Sequence, residues 1–157
     1  MAVTIQQIGK FLDENDIHYA LKDDSTLITG FTTPNFRDCD DNEKHILIVV
    51  KLEEDGEYFK CFAPMAFKAT GEHARAFLEA CMSIQWQTKL IQFEYDAGDG
   101  EIRPIIEFPI ADGTLTARQV VRCVHALVQI VDDNFDTLDR AMKTGVIDAA
   151  GTVVPES

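Results

Sequence analysis

Apolar residues change period several times along the chain, and each change marks an element. Near the N-terminus Ile5, Ile8, Phe11 and Leu12 recur at steps of three and four, the spacing of one helical face. Thr4-Ile5-Gln6-Gln7 sets the start of that helix as a capping box. In such a box the Thr4 hydroxyl accepts from the Gln7 backbone N–H, and the Gln7 side chain accepts from the Thr4 N–H. Val3 and Ile8 flank it as a hydrophobic staple, and the helix is expected to stop near Asn15. The pattern then becomes extended: Ile17 to Leu21 and Ser25 to Thr32 are predicted strands about a Lys22-Asp23-Asp24 turn. Residues Pro34 to Glu43 are polar and acidic, a surface loop. His45 to Leu52 and Glu57 to Met65, rich in β-branched and aromatic residues, form a hairpin about Glu53-Glu54-Asp55-Gly56.

A second helix is predicted from about Gly71 to Gln87, with Thr70 as N-cap and Ala74, Phe77, Leu78, Cys81 and Gln85 on one face. Leu90 to Tyr95 and Ile102 to Ile110 form a second hairpin about Asp96-Ala97-Gly98-Asp99-Gly100. Pro104 cannot donate to a ladder, which puts an edge or a bulge in its strand. The third helix repeats the capping box in Thr116-Ala117-Arg118-Gln119 and the staple in Leu115 and Val120. Its stripe runs through Val120, Val124, Leu127, Val131, Phe135, Leu138 and Met142 to a C′ glycine at Gly145. Unbroken from Ala117 to Thr144, it would span about 42 Å, more than a domain of this size covers alone. Val121, Cys123, Val128 and Ile130 widen the apolar sector beyond one stripe. Either the helix breaks at Asp132-Asp133-Asn134 and packs both halves internally, or Val121, Val128 and Ile130 form a subunit interface. Residues 146–157 carry no period and are expected to be a mobile tail. The pattern gives one domain, residues 1–145, of α+β class, with an antiparallel sheet and three helices in the order α-ββ-ββ-α-ββ-α.

Composition adds a folded core and a charge. Of 157 residues 46% are hydrophobic and 26% charged, which excludes disorder for most of the chain. Fourteen Lys+Arg against 27 Asp+Glu leave a net charge of -13, which repels nucleic acid. The longest aliphatic run, Ile46 to Val50, is far shorter than the ~20 residues of a membrane helix. Met1 to Asn15 has neither a basic nor an apolar signal-peptide region, so a cytoplasmic protein is expected. Cys61, Cys81 and Cys123 fall in apolar segments, as reduced, buried thiols do, and Cys39 lies in the exposed acidic loop.

Several residue sets resemble chemistry without completing it. Asp132-Asp133-Asn134-Phe135-Asp136 has the DDxxD spacing that holds Mg²⁺ when carboxylates one turn apart converge on a hard cation. A metal or small-molecule site on Asp132, Asp133 and Asp136, or on Asp38 and Asp40, is therefore the rival reading. Against it, Phe135 belongs to the apolar stripe, and no second acidic motif on a facing helix is present. Asp38 to Glu43 imitates half a calcium loop, but Glu43 stands where glycine is required and Val49 where the bidentate Glu belongs. Gly98-Asp99-Gly100 lacks the third glycine of a dinucleotide fingerprint and reads as a turn. His18, His45, His73 and His125 have no zinc spacing with the cysteines, and no Ser or Cys sits in a nucleophile signature. Phe31, Phe36 and Tyr58 could line an apolar groove, with ordinary core as the simpler reading. No catalytic residue, cofactor or metal ligand is expected.

Three segments carry a family resemblance. They are Ile8-Gly9-Lys10-Phe11-Leu12 running into Ile17-His18-Tyr19, the hairpin from His45 to Phe62, and a third stretch toward the last helix. That stretch holds Phe93-Glu94-Tyr95-Asp96, Asp99-Gly100-Glu101-Ile102, Ile106-Glu107-Phe108-Pro109-Ile110 and Leu115-Thr116. With its elements in this order the chain resembles the YbjN-like family of bacterial proteins, labelled sensory-transduction regulators, and the wider type III secretion chaperone-like fold. The resemblance implies a twisted antiparallel sheet, frequent homodimerisation, and binding of a non-globular client polypeptide without chemistry. It carries over no functional residue.

Overall fold

The computed structural model describes residues 2–147. The predicted tail therefore lies almost wholly outside the described residues. The elements are α1 (Ile5–Asp13), β1 (Tyr19–Asp23), β2 (Thr26–Thr32), β3 (His45–Glu53), a 3-10 turn (Glu54–Gly56), β4 (Tyr58–Phe62) and β5 (Phe67–Lys68). There follow α2 (Ala74–Gln87), β6 (Gln92–Tyr95), β7 (Glu101–Pro109), α3 (Ala117–Asp133) and α4 (Phe135–Thr144). All strand pairs are antiparallel, in the order β1-β2-β3-β4-β7, with β5 and β6 also paired to β7. The class is α+β, with four helices where the sequence suggested three.

Both predicted capping boxes form. Thr4 N–H donates to Gln7 Oε1 at 2.8 Å and Gln7 N–H to Thr4 Oγ1 at 3.3 Å. Thr116 and Gln119 repeat the arrangement at 2.8 and 3.2 Å. The period-two alternation of β3 then decides which side of the sheet is covered. Ile46, Ile48, Val50 and Leu52 are buried, and their cross-strand partners on β2 and β4, including Leu27, Phe59 and Cys61, share that face. On it they meet Ile5, Ile8 and Leu12 of α1 and Val120, Val124 and Leu127 of α3 in one core. Each fully buried side chain of this kind contributes about 1.5–3 kcal/mol.

Pro104 sits within β7, which pairs with β6 over residues 102–105 and, on its other side, with β5 over 101–102 and β4 over 105–109. Ala63 N–H donates to Pro104 O at 3.0 Å, and the return bond cannot exist because proline has no N–H. The proline falls in the gap between the β5 and β4 pairings, so that side of β7 is open there while Phe93 of β6 pairs with it on the other, consistent with the predicted edge.

The last helix breaks, which corrects the continuous 28-residue possibility. Asn134 leaves the helical region (φ -103°, ψ 5°), and its side-chain amide donates to Ile130 O at 2.8 Å. Phe135 turns inward against Phe36 and Phe67, at ring distances of 5.6 and 6.4 Å. The redirected α4 buries Leu138 and Ala141 in the common core and packs against α2. Gly145 ends it in the left-handed conformation (φ 72°), as predicted. A second correction concerns α2, which starts at Ala74 rather than near Gly71. Its N-cap is His73 without a side-chain bond, and Gly71 at φ 82° keeps the preceding turn out of the helix.

Gly56 combines a left-handed φ of 90° with a backbone contact: a Cβ there would lie 2.2 Å from Val3 O, whose residue donates its N–H to Gly56 O at 3.2 Å. Gly56→Ala should therefore cost about 1–3 kcal/mol in urea unfolding, against the small stabilisation that a less flexible unfolded chain alone would give. An unchanged midpoint would show that the N-terminal segment is not held at this turn.

Candidate protein-binding surface

The acidic motif is used structurally. Asp132 is 7% exposed. Its Oδ1 accepts the backbone N–H groups of Asn35 and Phe36, both at 2.8 Å, and its Oδ2 accepts the Asn35 amide at 3.1 Å. The carboxylate thus ties the loop after β2 to the end of α3. Asp133 and Asp136 are exposed, and among the described residues no three His, Cys, Asp or Glu side chains gather so as to hold a metal ion. The acidic loop likewise folds on itself. Asp38 Oδ1 caps the N–H groups of Asp40 and Asp41 at 2.9 and 3.3 Å, and Asp41 Oδ1 caps Glu43 at 2.8 Å.

The cysteines fall as expected, with Cys61, Cys81 and Cys123 buried and Cys39 exposed, all reduced. Burial pushes the Cys81 thiol up to about 12. Cys39 is also raised, by partial burial of its sulfur and then by Asp40 and Asp38, and it donates to Met65 O at 2.8 Å. Such a thiol is a poor nucleophile at neutral pH.

Of the aromatic groove candidates, Phe36 is core, and Phe31 and Tyr58 are half-buried on opposite faces of the sheet. Phe31 packs on the core and edge-on against His125 at 5.9 Å. Val121, Val128 and Ile130 are half-buried and also rest on the core, so each offers a partner only its remaining exposed part.

The most exposed large apolar side chains of helical origin lie on α2. Phe77, Ala80, Cys81 and Ile84 face the core. Arg75, Glu79, Met82 and Trp86, at steps of four, three and four, form the outward line. Trp86 is 89% exposed, Met82 51%, and Leu90, just past the helix, 51%. The sequence carried this signal, as residues 82 and 86 continue no buried stripe, but the eye follows Phe77 and Cys81.

A second surface is the sheet face opposite the helices. Ile28 pairs with Val49, Val49 with Phe62, and Phe62 with Ile105, so four apolar residues form one row across β2, β3, β4 and β7. Apart from the buried Ile105, these side chains are partly exposed. None of the four joins the main core, and no helix among the described residues packs on them. Charges border the row. Lys60 lies 3.3 Å from Glu53 and 3.6 Å from Glu107, and Arg103 pairs with Glu94 at 2.7 Å while its guanidinium sits over the Phe62 ring. Burial disfavours the charged form of Glu53, but Lys60 and Lys51 outweigh it and hold its carboxyl below the usual range.

The two sheet edges differ. At β6 the outward N–H of Phe93 is taken by Gln85 Oε1 at 3.2 Å, which blunts strand addition. At the other edge Leu52 N–H donates to Ser25 O. By alternation, Ile28 and its partner Ala20 face each other, and the backbone groups of Tyr19 and Leu21 point away from the sheet. Leu21 is 52% exposed there, and Asp13, Asp16, Asp23 and Asp24 lie near it in sequence.

Solved structures share this architecture. YbjN from Escherichia coli, a proposed transcription regulator, superposes with a TM-score of 0.60 at 11% identity, covering 84% of this chain and 91% of that one. A chain of the heterodimeric ExoU–SpcU complex from the type III secretion system of Pseudomonas aeruginosa does so with a TM-score of 0.50 at 9% identity, covering 85% and 96%. The fold is that of YbjN and the secretion chaperones. No protein-family model matches the chain, and no curated protein matches it. No helix among the described residues is long and apolar enough to cross a membrane.

Removing the Asp132 carboxylate should release three donors, so Asp132→Ala is expected to lose about 1–3 kcal/mol in chemical unfolding. Millimolar Mg²⁺ or Ca²⁺ should leave the wild-type melting temperature unchanged. A saturable rise abolished by Asp132→Asn with Asp136→Asn would restore the metal reading. In thiol titration one group, Cys39, should react in the native protein, more slowly than a free thiol, and four after unfolding. Rapid native reaction of a second thiol would contradict the burial of Cys61, Cys81 and Cys123.

Proposed function

We propose that this chain is a non-enzymatic protein-binding domain, a cytoplasmic homodimer that acts as a chaperone-like adaptor or regulator by holding a non-globular stretch of a client polypeptide. The observation that carries the reading is the outward line of α2. A molecule that packs its core closely leaves its single tryptophan almost wholly in water, where covering the indole would be worth about 2–3 kcal/mol. The fold neighbours support it: one is a chain bound to another protein in a secretion complex, and the other is a proposed regulator.

The client site fits the β1 edge. Its free backbone groups suit an extended segment added as a further strand, and the exposed Leu21 offers an apolar anchor. Its acidic surroundings favour basic segments and speed their approach. Light scattering should give a mass near twice 17.6 kDa, and a monomer at all concentrations would overturn the homodimer. In fluorescence anisotropy, a labelled peptide of alternating Val and Lys should bind at least tenfold more tightly than one of Val and Glu, and weaken with salt. Equal affinity for the two peptides would overturn the β1 edge as the client site.

A further inference from the structure

We infer that the recess between the acidic loop, β5 and α4 is a binding site for a small aromatic carboxylate, with its ring on a phenylalanine floor and its anionic head at Arg37 and Lys68. The inference goes beyond the protein-binding role proposed above and stands without the homodimer. The recess measures about 300 Å³, the lower end of the range for small-molecule sites and room for a two-ring acid. Phe67 and Phe77, both buried, line it together with the half-buried Phe135 and Met142. The Phe67 and Phe77 rings are 5.4 Å apart and those of Phe67 and Phe135 6.4 Å, so a guest ring would meet an existing aromatic cluster. Edge-to-face and offset contacts there add to what burial alone supplies. The remaining lining includes the loop from Arg37 to Asn42, which is held in place before any ligand arrives. Asp38 caps Asp40 and Asp41, Arg37 donates to Asn42 O at 2.9 Å, and the Cys39 thiol reaches Met65 O. Walls tied in this way need little ordering on binding.

Charge decides the sign of the ligand's head. The chain carries a net charge of -13, yet Arg37, Lys68 and Lys143 all line this one recess. The carboxylates beside them are already engaged. Asp139 holds Lys143 at 2.6 Å, and Asp38 accepts from the loop's own N–H groups. Glu101, the partner of Lys68 across the β5–β7 ladder, instead accepts the Met65 N–H at 2.9 Å. Arg37 and Lys68 therefore make no ion pair among the described residues. Two such cations at the rim of an apolar floor suit a carboxylate joined to a ring. Arg37 can grip it through two parallel N–H bonds, which a hydroxyl or an ester in the same place would not match.

The probe is 2-naphthoate, compared by calorimetric titration with its neutral analogue 2-naphthylmethanol and with decanoate. At ordinary ligand efficiency 2-naphthoate should occupy one site with a Kd of about 1 mM or tighter. The alcohol should bind at least about fivefold more weakly. Arg37→Gln combined with Lys68→Gln alters two exposed residues and should leave the melting curve intact. It should weaken 2-naphthoate to the level of the alcohol and leave the alcohol's affinity unchanged. Location is read at Cys39, which lines the recess: at mildly alkaline pH, 2-naphthoate should slow its alkylation by iodoacetamide in proportion to the occupied fraction. Absence of saturable binding, or equal affinity for acid and alcohol, would overturn the proposal. Binding that survives the double substitution, or that leaves Cys39 unprotected, would do the same by placing the site elsewhere. Tighter binding of decanoate would make the occupant an acyl chain and remove the aromatic assignment. All these results are independent of the mass and peptide measurements that test the homodimer and the β1 edge.

Discussion

All the helices that pack against the sheet do so from one side, and the alternation of β3 enforces it. Ile46, Ile48, Val50 and Leu52 point one way, and His45, Leu47, Val49 and Lys51 the other. A slip of one residue would exchange the two sets, so the register of β2, β3 and β4 fixes which face receives α1 and α3. The same register leaves Val49 and Phe62 on a face with no helix. Capping boxes, loop anchors and the redirected α4 all serve the covered side.

The elements most legible in the sequence are those whose signals are local. Thr4 and Thr116 fix helix starts through bonds three residues away, and β3 and β7 announce themselves by β-branched runs. The misreadings involve distant partners. Phe135 fits a helical stripe continuing from Val131, and its turn toward Phe36 and Phe67 depends on aromatics 60 and more positions away in sequence. β5 is two residues long and exists because Phe67 and Lys68 meet the start of β7. Pro104 announced an open position in its strand, but the gap between β4 and β5 that supplies it could not be read from either segment alone.

Asp132 shows why a spacing motif needs its surroundings. DDxxD asks three carboxylates to share a cation, and here one of the three is enclosed by backbone donors from a loop 96 and 97 residues earlier. A buried carboxylate with two backbone N–H groups and an amide on it has its acceptor capacity largely filled. Of its two companions, both exposed, Asp133 ends α3 and Asp136 lies beyond the break that Asn134 introduces. The aspartate most constrained by the motif reading is thus the one with most to do in holding the fold.

The charge is unevenly matched to the apolar surfaces. An excess of thirteen negative charges on a small domain keeps copies apart and draws basic segments in, and both effects weaken with salt. Against that background a neutral surface is informative where it is also apolar. The α2 line and the Ile28–Val49–Phe62–Ile105 row meet both conditions, whereas the β1 edge meets only the second, with Leu21 set among aspartates. On the proposed reading, self-association and client capture would therefore follow opposite electrostatic rules. Salt should favour the meeting of two like-charged copies as it screens their repulsion, and it should loosen a basic client held at β1, so the two kinds of contact can be separated by ionic strength without altering a residue.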